Sequence, residues 1–178
     1  PGDLLTAFLA KDVAARHPGA QILLDVKSSE AALRLVESAG AAAQIWKTGH
    51  SHMKKRMKEL EAPLAGEMSG HIFIADDYLG FDDAIYAAVR VITQMVKGGQ
   101  SITEFMDSLP EQHATPELRI DCPDTVKFDS MEKIRAHVLS GHDAADVNSI
   151  DGVRVRSGDG WWLIRASNTE AALVARAE

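Results

Sequence analysis

The 178-residue sequence predicts an α/β domain over residues 1–113 and a smaller α+β domain over residues 117–178. In the first part, a helical pattern lies between two apolar runs of strand length, which is typical of a βαβ unit. In the second part, three strand-like runs follow one another closely. The stretch over residues 110–116 has no periodicity, and we interpret it as a linker.

The first domain is predicted to begin with alternating helices and strands. Apolar residues at helical spacing predict a helix over residues 4–15, which Pro18-Gly19 ends. Residues 22–26 are almost continuously apolar, as in a strand covered on both faces. Ser29 can cap a helix that ends near residue 39, and residues 44–46 form the next strand. Part of the sheet should therefore be parallel.

Three more helices and one more strand complete the predicted first domain. Ser51 is expected to cap a basic helix over residues 52–61, and residues 71–74 form a strand. A helix runs over residues 82–97, beginning with two acids that its dipole favours. A capping box at residues 101–104 opens a short helix. The expected apolar stripe of the 82–97 helix is Ile85, Ala88, Val89, Ile92 and Val96.

The second domain is predicted to combine one helix with several strands. A capping box at residues 129–132 is expected to open a helix that ends near Ser140. Asp151-Gly152 is a strong hairpin turn signal. The expected strands cover residues 117–121, 147–150, 153–156, 161–165 and 173–177.

Composition excludes several classes of function. The net charge of -7 argues against a nucleic-acid partner and against an anionic membrane surface. Cys122 is the single cysteine, so no internal disulfide forms, which fits a cytoplasmic location. No apolar run approaches the roughly 20 residues of a membrane span. We find no His, Cys or carboxylate cluster with metal-ligand spacing and predict no metal site in the chain.

The loop over residues 66–71 is the first candidate binding loop. Its two glycines allow close approach of the backbone to a ligand. Glu67 can accept hydrogen bonds from vicinal hydroxyls, Ser69 can donate or accept, and His71 can transfer a proton near neutral pH. An ordinary strand-entry turn is an equal alternative from residue types alone.

Residues 165–170 form the second candidate loop. Arg165 can pair with a phosphate through two parallel bonds, and Ser167, Asn168 and Thr169 add neutral donors. Backbone N–H groups in a turn would add more. The alternative is a polar turn with an exposed arginine. A third loop, residues 47–50, follows a strand and precedes a helix, where open α/β sheets bind ligands.

These motifs, taken in order, resemble those of the α-D-phosphohexomutases. The matching segments are residues 25–27, 46–51, 66–71, 80–83, 150–153 and 165–170. The methionine at position 68 resembles the phosphomannomutase/phosphoglucomutase branch, whereas phosphoglucosamine mutases usually carry glutamine at this position. The resemblance covers nearly the whole chain and corresponds to the third and fourth of four family domains.

The resemblance implies a fold and an activity. The third domain would be an α/β/α sandwich with a mixed sheet, and the fourth a TATA-box-binding-protein-like domain of about four antiparallel strands with a helix. The family interconverts hexose 1-phosphate and 6-phosphate through a hexose bisphosphate. The resemblance places the phosphoserine and the Mg²⁺ loop in the N-terminal domains of the same enzyme, outside this chain. The chain would then be trimmed at both ends and inactive alone.

The resemblance also implies roles for individual residues. Glu67 and Ser69 would hold sugar hydroxyls, and Arg165, Ser167, Asn168 and Thr169 would clamp the phosphate that is not reacting. Arg176 is a weaker candidate for the same clamp. The residues expected to line the cleft are Lys27, Lys47, His50 and His71, with Lys27 and His71 as the catalytic candidates.

Two segments depart from the family pattern. Ser28-Ser29-Glu30 replaces a segment that often carries an arginine, and Ala171 replaces a frequent proline. A phosphoglucosamine mutase and a non-catalytic phosphosugar-binding module remain as alternatives.

Overall fold

The computed structural model describes residues 1–158 and 160–178. The chain divides into two compact units, Pro1–Pro110 and Glu111–Glu178. Residues 110–117 form neither helix nor strand. None of the helices in the described residues combines the length and the apolar composition required to cross a bilayer.

The first unit contains five helices and five strands among the described residues. The helices are α1 (Gly2–Arg16), α2 (Glu30–Ser38), α3 (His50–Leu60), α4 (Ala84–Gly98) and α5 (Ile102–Asp107). The strands are β1 (Gln21–Asp25), β2 (Ala42–Trp46), β3 (Leu64–Gly66), β4 (Ile72–Ile74) and β5 (Phe81–Asp82).

The sheet of the first unit is mixed and has the order β2-β1-β3-β4-β5. β1 runs parallel to both β2 and β3, with Asp25 opposite Trp46 and Leu24 opposite Gly66. β4 and β5 are antiparallel to their neighbours. The carboxyl ends of β1, β2 and β3 therefore lie at the same edge of the sheet, and the loops that follow them begin side by side.

Helices cover both faces of this sheet, which confirms the predicted α/β/α arrangement. On one face, Ile22, Leu24 and Leu64 pack with residues of α1, α2 and α4. On the other, Leu23 and Phe73 pack with methionines of α3. Neighbouring residues of β1 thus enter different cores, which explains why the strand reads as a continuous apolar run.

In its described residues, the second unit is a five-stranded antiparallel sheet with one long helix. Its elements are β6 (Leu118–Asp121), α6 (Asp124–Gly141), a 3₁₀ turn (Ala144–Asp146), β7 (Val147–Asn148), β8 (Val153–Ser157), β9 (Gly160–Ala166) and β10 (Ala172–Ala177). The strand order is β6-β10-β9-β8-β7. Met131 and Val138 of α6 pack against Val153, Val155 and Leu173 on one face.

The structure differs from the local predictions at four points. β3 and β5 were not predicted, because strands of three and two residues carry no readable periodicity. α3 begins at His50 without a side-chain cap, so the predicted cap at Ser51 is wrong. α6 begins at Asp124, so the capping box at residues 129–132 is also wrong. Pro123 is the N-cap residue of this helix, and its carbonyl accepts from the amides of Val126 and Lys127.

The apolar stripe of α4 does not face the core. Ile85 and Val96 are 80% and 79% exposed, and Val89 and Ile92 are also exposed. The helix instead directs Ala87, Tyr86 and Val91 at the sheet. Helical periodicity identified the helix correctly. It could not show that the most apolar face of the helix is exposed and not packed on the sheet.

Candidate functional site

A buried carboxylate joins three loops at the carboxyl edge of the first sheet. Oδ1 of Asp25 accepts hydrogen bonds from the Met68 amide at 2.9 Å and from the Ser28 hydroxyl at 2.8 Å. Oδ2 accepts from the Thr48 hydroxyl at 3.0 Å. Asp25 thereby fixes the starts of the β1–α2, β2–α3 and β3–β4 loops relative to one another.

Burial raises the pKa of the Asp25 carboxyl above its ordinary value. The Lys27 ammonium and the hydrogen bonds from Met68 and Ser28 act in the opposite direction and lower it. Lys27 is itself 7% exposed. Sequence reasoning did not name Asp25 as a site residue, although a charged residue that ends an apolar strand was a readable signal.

Glu67 connects the second and third loops. Its side chain is buried; Oε1 accepts from the Gly49 amide at 2.9 Å, and Oε2 accepts from the Ser69 hydroxyl at 3.3 Å. An ionised carboxylate offers about four acceptor positions. Glu67 therefore keeps acceptor capacity for a ligand hydroxyl while holding the loop. Its partner Ser69 is exposed, and so is Lys47 at the start of the β2–α3 loop.

His71 belongs to a cluster with His50 and Asp82. The Nδ1 atom of His71 lies 2.7 Å from Oδ2 of Asp82, and Nε2 of His50 lies 3.4 Å from the same oxygen. The two imidazole rings meet edge to face, with centroids 4.4 Å apart. The sequence predicted Asp82 only as a helix start, because the β4–β5 pairing that brings it to His71 was not readable.

The loop over residues 67–71 also packs closely against the start of α1. The Gly2 amide donates to the Met68 carbonyl at 3.0 Å. A Cβ at Gly66 would lie 1.8 Å from the Thr6 hydroxyl oxygen, and one at Gly2 would lie 2.4 Å from the Glu67 carbonyl oxygen. Only glycines permit this approach, so both are needed to hold the loop in place.

In the second unit, Arg165 is buried at the end of β9. Its side chain is 5% exposed, and Nε donates to Oδ2 of Asp151 at 3.0 Å. The Nη2 atom is buried and has no hydrogen-bond partner among the described residues. Such a nitrogen is costly to leave unsatisfied, and an anion at this position would satisfy it.

Gly152 sets the position of Asp151. Its φ is +77°, and a Cβ there would lie 2.3 Å from the Ile164 carbonyl oxygen and 2.6 Å from the Arg165 Cα. The hairpin turn therefore packs directly on β9 because it carries glycine. This contact places the Asp151 carboxylate against the guanidinium of Arg165.

Ser167 organises the rest of the second loop. Its hydroxyl oxygen accepts from the amides of Thr169 at 3.3 Å and Glu170 at 3.1 Å. These two amides thus bond to Ser167, whereas the sequence suggested that they would be available to a ligand. Asn168 and Thr169 are exposed. Lys127 donates to the Glu170 carbonyl at 2.8 Å and holds the end of the loop.

Arg176 lies on β10, on the same face of the sheet as Arg165. Val174 pairs with Arg165, and Arg176 follows two residues later. Its side chain is 9% exposed, with Nη2 3.4 Å from Glu178 and the guanidinium 5.6 Å from the Trp161 ring centroid.

The predicted residues thus fall into two groups. At the sheet edge of the first unit lie Lys27, Lys47, His50, Glu67, Ser69 and His71; at the end of β9 and in the loop after it lie Arg165, Ser167, Asn168 and Thr169. Arg176, on β10, belongs to neither group. We call these groups the sheet-edge group and the β9–β10 loop group.

Two protein-family models match the chain. Residues 1–113 match "Phosphoglucomutase/phosphomannomutase, alpha/beta/alpha domain III". Residues 117–178 match "Phosphoglucomutase/phosphomannomutase, C-terminal domain".

Individual relatives agree with these models. Over 99% of this chain, the sequence is 44% identical to a phosphomannomutase/phosphoglucomutase of Pseudomonas putida. Over 96% of this chain, it is 39% identical to a phosphoglucomutase of Neisseria gonorrhoeae. A crystal structure of a phosphoglucomutase/phosphomannomutase family protein from Burkholderia thailandensis superposes with a TM-score of 0.86 at 38% identity, covering 99% of this chain. The chain spans only 37–38% of the length of these three proteins.

Proposed function

Since the chain belongs to the phosphoglucomutase/phosphomannomutase family, we propose that it forms the sugar- and phosphate-binding part of a hexose phosphate mutase. The longer enzyme would interconvert hexose 1-phosphate and 6-phosphate through a bisphosphate. In this proposal, residues 1–113 bind the sugar and residues 117–178 bind the phosphate that is not reacting. The remaining domains of the enzyme would supply the phosphoryl donor, so this chain alone would not turn over substrate.

The observation that carries the proposal is the arrangement of Glu67. A buried carboxylate that keeps acceptor positions beside exposed polar residues suits the adjacent hydroxyls of a hexose. Because Glu67 is held by the Gly49 amide and Ser69, it needs no rearrangement to accept those bonds.

The β9–β10 loop group supplies the complementary charge. The Nη2 atom of Arg165 would donate to a phosphate oxygen, while Asp151 holds the other side of the guanidinium. Asn168 and Thr169 are exposed and would add neutral donors. We assign Arg176 a supporting role through its charge on the same sheet face.

His71 would move the proton at the reacting hydroxyl. If Nδ1 carries its proton toward Asp82, the lone pair of the neutral ring lies on Nε2. That nitrogen would accept the proton of the attacking hydroxyl, and Asp82 would stabilise the imidazolium that results. Lys27 would stabilise the negative charge of the transferring phosphoryl group.

The resemblance to phosphohexomutases also implies Mg²⁺, but the residues of this chain do not fit it. In the described part of the chain, the one group of three potential metal ligands is His50, His71 and Asp82. Mg²⁺ prefers six oxygen ligands, and two of these three side chains offer nitrogen. We therefore assign no catalytic step to Mg²⁺ within this chain and place its site in the rest of the enzyme.

An NMR titration of the 178-residue chain with mannose 1-phosphate tests the proposal. We expect amide shifts at residues 66–71 and 165–170. Glu67→Gln should weaken the first set, and Arg165→Ala the second. Inorganic phosphate should shift residues 165–170 alone. Absence of shifts at both loops, with the fold intact by amide dispersion, would contradict the proposed binding role.

The proposal places the protein in the cytoplasm, in keeping with its single buried thiol at Cys122.

A further inference from the structure

The cluster of His50, His71 and Asp82 has the donor atoms of a transition-metal site. One imidazole nitrogen from each histidine and one carboxylate oxygen lie within 4.8 Å of one another. The sequence showed no such cluster, because the three residues come from α3, the β3–β4 loop and β5. Folding brings them to one end of the β4–β5 pair.

We propose that these three residues bind a divalent ion of the zinc class. Zinc is held by imidazole nitrogen and carboxylate oxygen, with bonds of about 2.0–2.2 Å. Tetrahedral coordination at that length separates the donor atoms by about 3.3 Å. Oδ2 of Asp82 lies 2.7 Å from Nδ1 of His71 and 3.4 Å from Nε2 of His50, on either side of that separation, and all three donors lie within 4.8 Å of one another.

The surrounding contacts orient the donors. Oδ1 of Asp82 accepts from the Ile72 amide at 3.1 Å, which directs Oδ2 toward the two rings. The His50 ring packs edge to face on Phe73, with centroids 5.2 Å apart. Partners of this kind fix the orientation of metal ligands and contribute to their affinity.

The site is open to solvent on one side. The side chains of His50 and His71 are 44% and 46% exposed, so an ion can enter and retain a water ligand. This composition of two imidazoles, one carboxylate and an open position favours zinc, copper, nickel or cobalt over magnesium or calcium.

The pair of His17 and Asp76 provides an internal contrast. His17 Nε2 lies 2.8 Å from Asp76, but that carboxylate also bonds to Arg16 and Arg90. Two guanidinium groups neutralise it and repel a cation. We therefore expect this second histidine–carboxylate pair not to bind a metal.

Titration of the chain with Zn²⁺, followed through the ring nitrogens of labelled histidines, tests the site. We expect saturable one-to-one binding that shifts the His50 and His71 signals, with no response to Mg²⁺. His50→Ala and Asp82→Asn should each weaken binding by at least about tenfold, whereas His17→Ala should leave it unchanged. Asparagine retains the acceptor for the Ile72 amide, so Asp82→Asn separates loss of the ligand from loss of the fold.

Failure to saturate, or equal affinity in wild type and His50→Ala, would overturn the metal site. A consequence for catalysis rests on the proposed function: bound zinc occupies His71 and should suppress the mannose 1-phosphate shifts at residues 66–71. The two proposals fail separately. Zinc binding without competition would leave both the metal site and sugar binding at residues 66–71 standing and would contradict only the placement of His71 against the sugar.

Discussion

The sheet-edge group and the β9–β10 loop group are held in place over very different distances along the chain. Asp25 bonds to the Met68 amide, 43 residues away, and to the Thr48 hydroxyl, 23 residues away. Among the described residues, the side chains of Arg165 and Ser167 bond within a hairpin and a turn, the farther partner, Asp151, being 14 residues away. A longer contact to this loop is made by Lys127, which holds the Glu170 carbonyl at the loop's end. Losing one side chain should therefore disturb several loops in the first unit and only one in the second.

Asp25→Ala is expected to have the largest effect and tests the long-range half of the comparison. It removes the acceptor of one amide and two hydroxyls, so we expect a loss of about 3–5 kcal/mol in the stability of the first unit. Amide hydrogen exchange measures the stability of each of the two units separately.

The matched control for that variant is Asp25→Asn. It keeps the Oδ1 acceptor used by the Met68 amide and the Ser28 hydroxyl, and should lose only about 1–2 kcal/mol. Equal losses in both variants would show that charge, and not hydrogen bonding, holds the loops.

Arg165→Ala probes the local half through binding. Losing a charge-assisted phosphate contact should weaken mannose 1-phosphate affinity by about 2–4 kcal/mol. Arg119→Ala is the control, since Arg119 pairs with Glu170 near the same loop but is 55% exposed, and should leave the affinity almost unchanged. Calorimetric titration compares the two, and normal affinity in Arg165→Ala would refute the clamp.

Ser167→Ala tests how far a local change spreads. The Thr169 and Glu170 amides lose their acceptor, so we expect about 1 kcal/mol of destabilisation and faster exchange at those two amides alone. Ser69→Ala in the other loop removes one exposed contact to Glu67 and should change stability by less than about 0.5 kcal/mol. Faster exchange throughout the second unit would contradict the local picture.

The smallest expected effect is the loss of stability at low pH that comes from Asp76 in the first unit. Burial tends to raise the pKa of Asp76, but hydrogen bonds from Arg90, His17 and Arg16 outweigh it and hold the pKa below its ordinary value. The ionised carboxylate therefore stabilises the fold above its unfolded pKa, and this contribution disappears as pH falls through the folded value.

Stepwise acidification monitored by amide exchange checks this dependence. Acid should reduce protection in the first unit less in Asp76→Asn than in the wild type, because the variant lacks the ionised Asp76 contribution. The same acid dependence in both proteins would be evidence against this role of Asp76.

The contrast between long-range and local contacts also explains what the sequence could predict. The β1–α2–β2 unit and the antiparallel sheet were predicted because their patterns are local, and both are confirmed. The sequence placed the two binding loops, but their ligand roles stay predictions. The partnership of His71 with Asp82 depends on β4 and β5, whose pairing covers only two residue pairs, and no local pattern signals it.

The start of α6 shows a related limit. Five residues before the predicted capping box already form helix, and Asp124 in the first turn is favoured there by the helix dipole. A capping box is a strong signal only where no competing start lies upstream.

The hydroxyl of Ser167 has a consequence for how quickly ligands come and go. Because this hydroxyl already accepts hydrogen bonds from the Thr169 and Glu170 amides, the loop is folded before any phosphate arrives. Association of the phosphate then requires little ordering of the chain. A phosphate that accepted hydrogen bonds from those amides would have to displace the hydroxyl. When the phosphate dissociates, the hydroxyl would form its hydrogen bonds to the amides again. The loop would then combine rapid capture of a phosphate with a short residence time.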